Sequence, residues 1–156
     1  KIFPEDNSIE RLRLINVVFS DHDRHNSSSA SSLRSLKIFH LISCSTVSES
    51  NKCLEQWLLG MMDQTSLSQL LLDRTEDVSE ECIRSICRGG TGMELSLRCM
   101  TVPRDILRFN LLSLELVDCP GMNAAVRSAR VGPKMKQLFL WGDCDEEAAI
   151  GLLDSL

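Results

Sequence analysis

The chain has 156 residues, of which 43% are hydrophobic and 25% charged, and its formal net charge is −5. This length suits a single domain with a continuous core, and the acidic balance argues against a general nucleic-acid binder, which needs clustered positive charge. No apolar run approaches the roughly 18 residues of a membrane-spanning helix, and no signal peptide opens the chain. Because the first residue is Lys1 rather than Met, we expect a fragment of a longer chain.

Seven cysteines are scattered along the chain, at positions 44, 53, 82, 87, 99, 119 and 144. An odd number without a C-x-x-C pair fits neither a disulfide framework nor a zinc site. We therefore expect the cysteines to be buried as small hydrophobic residues. This use of cysteine favours a reducing compartment, so the chain is predicted to be cytoplasmic or nuclear.

The hydrophobic pattern predicts strands that alternate with helices. Strands are expected at residues 9–17, 33–41, 67–72, 93–102, 111–117 and 135–140. Helices are expected at 50–63, from Asp77 to a stop at Gly89 and Gly90, at 122–129, and at 146–156 after an Asp145 cap, with a helical turn opened by Pro103. Residues 21–32 hold five serines, two histidines and no large apolar side chain, which predicts a mobile loop.

The predicted strands share a Leu-x-Leu core. It appears at Leu12/Leu14, Leu36/Ile38, Leu70/Leu72, Leu95/Leu97, Leu114/Leu116 and Leu138/Leu140. The residue three places before the pair is apolar in five of the six copies, and the steps between the first leucines are 24, 34, 25, 19 and 24 residues. In the fifth copy Cys119 follows three places after Leu116, which completes the spacing L-x-x-L-x-L-x-x-C.

This pattern resembles the leucine-rich repeat superfamily, and the resemblance covers nearly the whole chain. It implies one α/β domain over residues 1–156, a solenoid of about six irregular repeats with an insertion in the second. Parallel strands would line its concave face and helices its convex face. Because helices fill most of the connections, the ribonuclease-inhibitor-like type is expected.

The period of two along a strand identifies the side chains that would point out of the concave face. The predicted outward pairs are Arg13 and Ile15, Lys37 and Phe39, Leu71 and Asp73, Ser96 and Arg98, Glu115 and Val117, and Phe139 and Trp141. Large apolar groups recur among them, which predicts an interaction patch with aromatic and arginine anchors. The residues assigned to partner binding are Arg13, Ile15, Lys37, Phe39, Asp73, Arg98, Glu115, Val117, Phe139 and Trp141. The alternative is that a preceding domain, a terminal segment or the loop at 21–32 covers this face.

Five other features favour structural explanations over chemistry. Asp21-His-Asp-Arg-His25 has the residue types of a zinc site but lacks a third ligand on a rigid element. No cysteine lies in a recognisable Cys–His catalytic context, and Arg88-Gly-Gly-Thr-Gly92 lacks the spacing and lysine of a phosphate loop. The serine run at 27–32 is a candidate for phosphorylation, with a plain loop as the default, and the apolar stripe of helix 50–63 is expected in the core. We predict no catalytic residue, cofactor or metal.

Protein binding rather than catalysis is therefore the predicted function. The sequence L-x-L-x-x-C-P at Leu114 to Pro120 resembles the repeats of F-box-type substrate receptors of ubiquitin ligases; the equivalent cysteine positions elsewhere are Val17, Leu41, Thr75, Met100 and Asp143. That resemblance implies that the chain selects a substrate and that a part N-terminal to these residues recruits the ligase. Two alternatives stay open, namely the repeats of an innate-immune-type receptor or scaffold, and a small α/β enzyme domain.

Overall fold

The computed structural model describes residues 9–19, 33–47, 52–75, 77–128 and 130–153. The loop predicted at 21–32, with its serine run and its histidines, lies outside the described residues. The strands are β1 Arg11–Ile15, β2 Val18–Phe19, β3 Ile38–Ile42, β4 Ser45–Thr46, β5 Gln69–Asp73, β6 Glu94–Arg98, β7 Ser113–Val117 and β8 Gln137–Trp141. The helices are α1 Lys52–Gln64, α2 Glu80–Gly89, α3 Met122–Arg127 and α4 Glu146–Leu153, with a 3₁₀ helix at Ile106–Arg108.

Six of the strands form one open, parallel sheet whose spatial order is the order of the chain. That order is β1, β3, β5, β6, β7 and β8, and β2 and β4 form a separate two-stranded parallel ladder. Within the large sheet, each strand pairs only with the members of that sheet that come directly before and after it along the chain. The predicted α/β class with a parallel sheet is confirmed.

A residue with left-handed backbone geometry follows each strand of the large sheet. These residues are Asn16, Ser43, Arg74, Cys99, Asp118 and Gly142, with φ between 48° and 110°. Five of them donate a backbone N–H to the last carbonyl of the next strand, as Asn16 does to Ile42 at 3.0 Å and Asp118 to Trp141 at 2.9 Å. Non-glycine residues rarely adopt this geometry, so its recurrence indicates that the same type of turn follows every strand of the large sheet. The strands therefore end at equivalent positions in the sheet.

The buried core lies between one face of the sheet and the helices. Leu70, Leu72, Leu114 and Leu116 have no exposed surface, and they cluster with helix residues such as Leu54. The corresponding leucines of the two edge strands are only half-buried, namely Leu12, Leu14, Leu138 and Leu140. Burial of branched aliphatic side chains in the inner strands contributes about 1.5–3 kcal/mol each.

The stripe of α1 packs into this core, as predicted from its spacing. Leu54 and Leu58 are fully buried and Met61 is 4% exposed. The Trp57 ring is in contact with Phe39 and Phe19, at centroid separations of 5.6 and 5.3 Å. Tilted aromatic pairs at this distance add specificity to the area that they bury, so α1 is held at one place over β3.

Two predicted helix ends differ from the structure and one agrees. Ser79, not Asp77, caps α2 by accepting the Cys82 N–H at 3.2 Å. Asp77 instead accepts the backbone N–H of Thr46 at 2.6 Å, which ties α2 to β4. Gly90 ends α2 with φ −85° rather than with the predicted left-handed geometry. Asp145 caps α4 as predicted, accepting the Glu147 N–H at 3.0 Å.

The predicted register of the second strand is wrong. Leu12 lies opposite Phe39 and Leu14 opposite Leu41, so the core pair is Phe39/Leu41 and not Leu36/Ile38. With first core residues at 12, 39, 70, 95, 114 and 138, the steps become 27, 31, 25, 19 and 24 residues.

The corrected register gives the second strand its own cysteine. Cys44, and not Leu41, is the counterpart of Cys119, since each follows the last core leucine by three residues. Cys44 Sγ lies 3.6 Å from the carbonyl oxygen of Leu14, and Cys119 Sγ lies 3.2 Å from that of Leu97. Both thiols can therefore donate to the last core leucine of the preceding strand, which links neighbouring strands beneath the turn.

Candidate interaction surface

The face of the large sheet opposite the helices, called the open face below, carries three outward side chains from each strand. The register aligns them in three rows: Arg11, Ile38, Gln69, Glu94, Ser113, Gln137; then Arg13, His40, Leu71, Ser96, Glu115, Phe139; then Ile15, Ile42, Asp73, Arg98, Val117, Trp141. Eight of the ten residues predicted to bind a partner fall in these rows.

Phe39 and Lys37 are the two that do not. Phe39 is fully buried against Trp57, because the corrected register turns it toward the helices. It is therefore not available to a partner on the open face. Lys37 lies one residue before β3, where its Nζ pairs with Glu10 Oε1 at 2.8 Å. Both side chains of this pair are exposed, so the pair contributes little to stability.

An ionic cluster occupies the centre of the open face. Ser96 Oγ lies 2.5 Å and Arg98 Nη2 3.0 Å from the same Glu115 oxygen, Oε2. Burial alone would raise the pKa of Glu115, but the hydrogen bonds from Ser96 and Arg98 outweigh it and the pKa lies below its ordinary value. The carboxylate is thus held ionised and oriented.

A histidine lies on the same face among arginines. Burial lowers the pKa of His40, and the charges of Arg13, Arg98 and Arg11 lower it further. Its Nε2 is buried and has no hydrogen-bond partner among the described residues. His40 is therefore neutral at pH 7, and the positive charge of this region comes from the arginines.

The β1 edge of the open face is basic. Arg11 and Arg13 are both exposed, and no carboxylate in the described part of the chain forms an ion pair with either of them. Two guanidinium groups on one short strand, without an ion-pair partner among the described residues, form a site that can bind carboxylates.

The β8 edge is aromatic. Phe139 is 45% and Trp141 61% exposed, and Trp141 lies opposite the half-buried Val117. Phe139 also lines a shallow depression of about 210 Å³ that reaches Glu94 and Glu115. This volume is below the roughly 300–1,000 Å³ of small-molecule pockets, so the depression fits a single side chain better than a cofactor.

The apolar positions predicted to form one patch do not lie together. Ile15 is in β1 and Trp141 in β8, at opposite edges of the sheet. At roughly 4.8 Å per strand, the five intervals between them amount to about 24 Å. Of the predicted positions, Val117, Phe139 and Trp141 lie next to one another, whereas Ile15 lies beside Ile42 at the other end of the sheet.

Sequence reasoning missed eight outward residues, namely Ile38, His40, Ile42, Arg11, Gln69, Glu94, Ser113 and Gln137. The first three belong to β3, where the register was wrong, and each of the other five precedes the predicted pair of its strand. The signal that could have corrected β3 was Cys44, since Leu36, Phe39, Leu41 and Cys44 follow the L-x-x-L-x-L-x-x-C spacing without a gap.

The thiols of α2 are unsuited to nucleophilic chemistry. Burial, followed by the charge of Glu55, raises the pKa of Cys82 to about 12; burial, followed by Asp105, raises the pKa of Cys87 to about 12. A thiol with such a pKa carries almost no thiolate at neutral pH. Among the described residues, no group of three or more His, Cys, Asp or Glu side chains is placed to hold a metal ion, and the predicted loop candidate at 21–25 lies outside them.

Comparisons with known proteins give no match: a scan of protein-family models, a search of curated proteins and a search of solved structures each return none. In the part of the chain that the structure describes, no helix has the length and apolar content to cross a membrane.

Proposed function

We propose that this chain is a leucine-rich-repeat-type module that binds a protein partner across the open face of its sheet. The observation that carries the proposal is the exposure of Phe139 and Trp141 beside the ordered Ser96–Arg98–Glu115 cluster. Aromatic residues and arginine are the residue types enriched at protein interfaces.

The repeat assignment is supported by features that recur from strand to strand. Strand order follows the chain, a left-handed residue ends each strand, and two cysteines occupy the same place in their units. In a solenoid built this way, each unit contacts only its neighbours, and the outward side chains form one continuous surface.

The chemistry of the open face defines the partner. Val117, Phe139 and Trp141 favour an aliphatic or aromatic anchor, whereas Arg11 and Arg13 favour carboxylates. Because these ends are about 24 Å apart, a partner that engages both needs about seven residues of extended chain or about sixteen of helix. The central Arg98–Glu115 pair adds selection against partners with mismatched charge.

The finer proposal is that the module selects substrates for a ubiquitin ligase. It is supported by the L-x-L-x-x-C-P sequence at Leu114 to Pro120 and by Cys44 in the equivalent place of the second unit. On this proposal the partner on the open face is a substrate, and ligase subunits bind elsewhere on the intact protein.

The test combines affinity capture with binding measurements on purified components. The intact protein would be compared with two open-face variants, F139A/W141A and R11E/R13E, after their folding is checked by circular dichroism. Ile150→Ala is the matched control, since Ile150 is a 53%-exposed apolar residue on α4, away from the open face.

We expect a specific protein to be lost with both open-face variants and kept with the control. With that protein purified, calorimetry should show binding weakened about tenfold or more by F139A/W141A. A captured set that is the same for all four proteins would refute the open-face assignment. Cullin-type subunits retained when the substrate is lost would support the ligase role, and their absence from every capture would refute it.

A further inference from the structure

The exposed apolar side chains of the described residues are concentrated in the first and last units of the fold. The exposed large hydrophobic residues are Ile15, Val18, Val47, Phe139, Trp141 and Ile150. Five of the six belong to the first unit, β1–β2, or to the last, β8–α4. Exposed apolar area of this kind marks a contact surface, and here it is divided between two opposite ends.

The core leucines are also incompletely covered at both ends. Leu12 and Leu14 in β1, and Leu138 and Leu140 in β8, are half-buried, whereas Leu114 and Leu116 in the inner strand β7 have no exposed surface. An inner strand is covered on both sides, and an edge strand on one. Among the described residues, each edge strand therefore pairs with one neighbouring strand, whereas the inner strands pair with two.

The backbone groups at the two edges are complementary to each other. At every junction, the residue after one strand donates its N–H to the last carbonyl of the next strand, as Asp118 does to Trp141. By the same rule, the N–H of Gly142 faces outward from β8 and the carbonyl of Ile15 faces outward from β1. Neither group has a hydrogen-bond partner among the described residues.

The side chains at the two edges are complementary in charge as well. Between the first two strands, Glu10 of one unit pairs with Lys37 at the equivalent position of the next, at 2.8 Å. Lys136 directly precedes β8, as Lys37 directly precedes β3. If β1 of a second copy paired with β8, Glu10 of that copy would therefore lie next to Lys136. Arg13 of the added strand would lie beside the Phe139 ring, an arrangement that favours cation–π attraction.

We propose that copies of this chain associate head to tail, with the β8 edge of one copy pairing in parallel with the β1 edge of the next. The register of the five existing junctions places Leu138 opposite Leu12 of the next copy and Trp141 opposite its Ile15. The two contacting surfaces differ, so each added copy leaves one edge of each kind free and the assembly grows beyond a dimer.

This association extends the open face instead of covering it. The aromatic end of one copy meets the basic end of the next, so the separated anchors become neighbours across the junction. The inference does not rest on the proposed partner binding, because it uses the lateral edges of the sheet and is tested with the purified chain alone.

The test uses one variant for each edge and a matched control. I15K/V18K places lysines in the first unit, on β1 and β2, and F139K/W141K places them on the β8 edge; all four positions are at least 45% exposed. Val47→Lys is the control, since Val47 is 71% exposed but belongs to neither the first unit nor the last. Sedimentation equilibrium would follow weight-average mass against concentration, with circular dichroism to establish that each variant is folded.

For the unmodified chain and the Val47 control, we expect the average mass to rise at least twofold above the 17.5 kDa monomer with increasing concentration. Each edge variant alone should stay at the monomer mass. An equal mixture of the two should form a one-to-one dimer, because each variant retains the edge that the other has lost.

Two results would overturn the proposal. A monomeric unmodified chain at the highest concentration would mean that other parts of the chain cover the edges. Continued self-association of either edge variant, without its complement, would mean that identical edges pair with each other instead.

Discussion

Arg98 and Glu115 lie on neighbouring strands and one row apart, and Arg98 Nη2 is 3.0 Å from Glu115 Oε2. Their strand positions make the contact diagonal, since Arg98 is opposite Val117 and Glu115 opposite Ser96. The contact joins β6 to β7 on the open face. Because Glu115 is partly buried and its pKa is depressed, the pair gives this face a stability that depends on pH.

Replacing Glu115 with Gln should remove that dependence. The pKa of Glu115 in the folded state is below the ordinary 4.5. Ionised Glu115 therefore stabilises the folded state above pH 4.5, and this stabilisation is lost as the pH falls through the folded-state pKa. We expect the unmodified protein to exceed E115Q by about 0.5–1 kcal/mol in unfolding free energy at pH 7. Urea unfolding at pH 7 and at pH 3 measures this difference at each pH, and the difference should be smaller at pH 3.

Glu94→Gln is the control for that experiment, because Glu94 lies on the same face without an ion pair among the described residues. It should leave the pH dependence of stability unchanged. If E115Q and E94Q behave alike at both pH values, the Ser96–Arg98–Glu115 cluster is not formed in solution.

Phe39 and Phe139 should respond in opposite ways to truncation. Phe39 is fully buried and in contact with Trp57, so Phe39→Ala should lower the unfolding free energy by about 3–5 kcal/mol. Phe139 is 45% exposed, and Phe139→Ala should cost about 1 kcal/mol or less. Chemical denaturation of both variants measures the contrast, and equal losses would contradict the register of β3.

Two glycines give a matched pair with opposite expected signs. A Cβ on Gly132 would collide with the backbone carbonyl of Phe109, and the Gly132 N–H is fixed to Leu107 O at 2.7 Å. Gly132→Ala should therefore destabilise by about 2–3 kcal/mol. Gly60 lies inside α1 with no atom near its Cβ position, so Gly60→Ala should stabilise by about 0.5–1 kcal/mol. Thermal unfolding of both variants provides the measurement; an unchanged midpoint for G132A would show that the segment can shift.

The six strands of the large sheet were largely predictable, and the wrong register of β3 has a physical cause. In β6 and β7, Ser96 and Glu115 separate the core leucines and define the inward face. In β3 the sequence Ile38-Phe-His-Leu-Ile42 is apolar on both faces, so alternation alone does not distinguish them. The inward face there is decided by Trp57, which packs on Phe39 from a helix 18 residues further along the chain.

Contacts between residues distant in sequence also determine the features of the helix ends and of the open face that the sequence did not predict. Asp77 and Ser79 are both competent caps, and Thr46 binds Asp77 from 31 residues away, which leaves Ser79 as the cap. The outward orientation of Ile15 and Trp141 follows from the period of a strand. The distance between these two residues depends instead on the number of strands between β1 and β8. The prediction of one apolar patch did not take that number into account.

Strictly sequential pairing also shapes how the chain unfolds. Because β6 touches only β5 and β7 within the large sheet, no long-range pairing ties the two ends together. Backbone amide hydrogens should therefore exchange with solvent earliest in β1 and β8 and latest in β5 to β7. A severe defect placed in β6 would divide the cooperative unit and leave each flanking segment with its own melting transition.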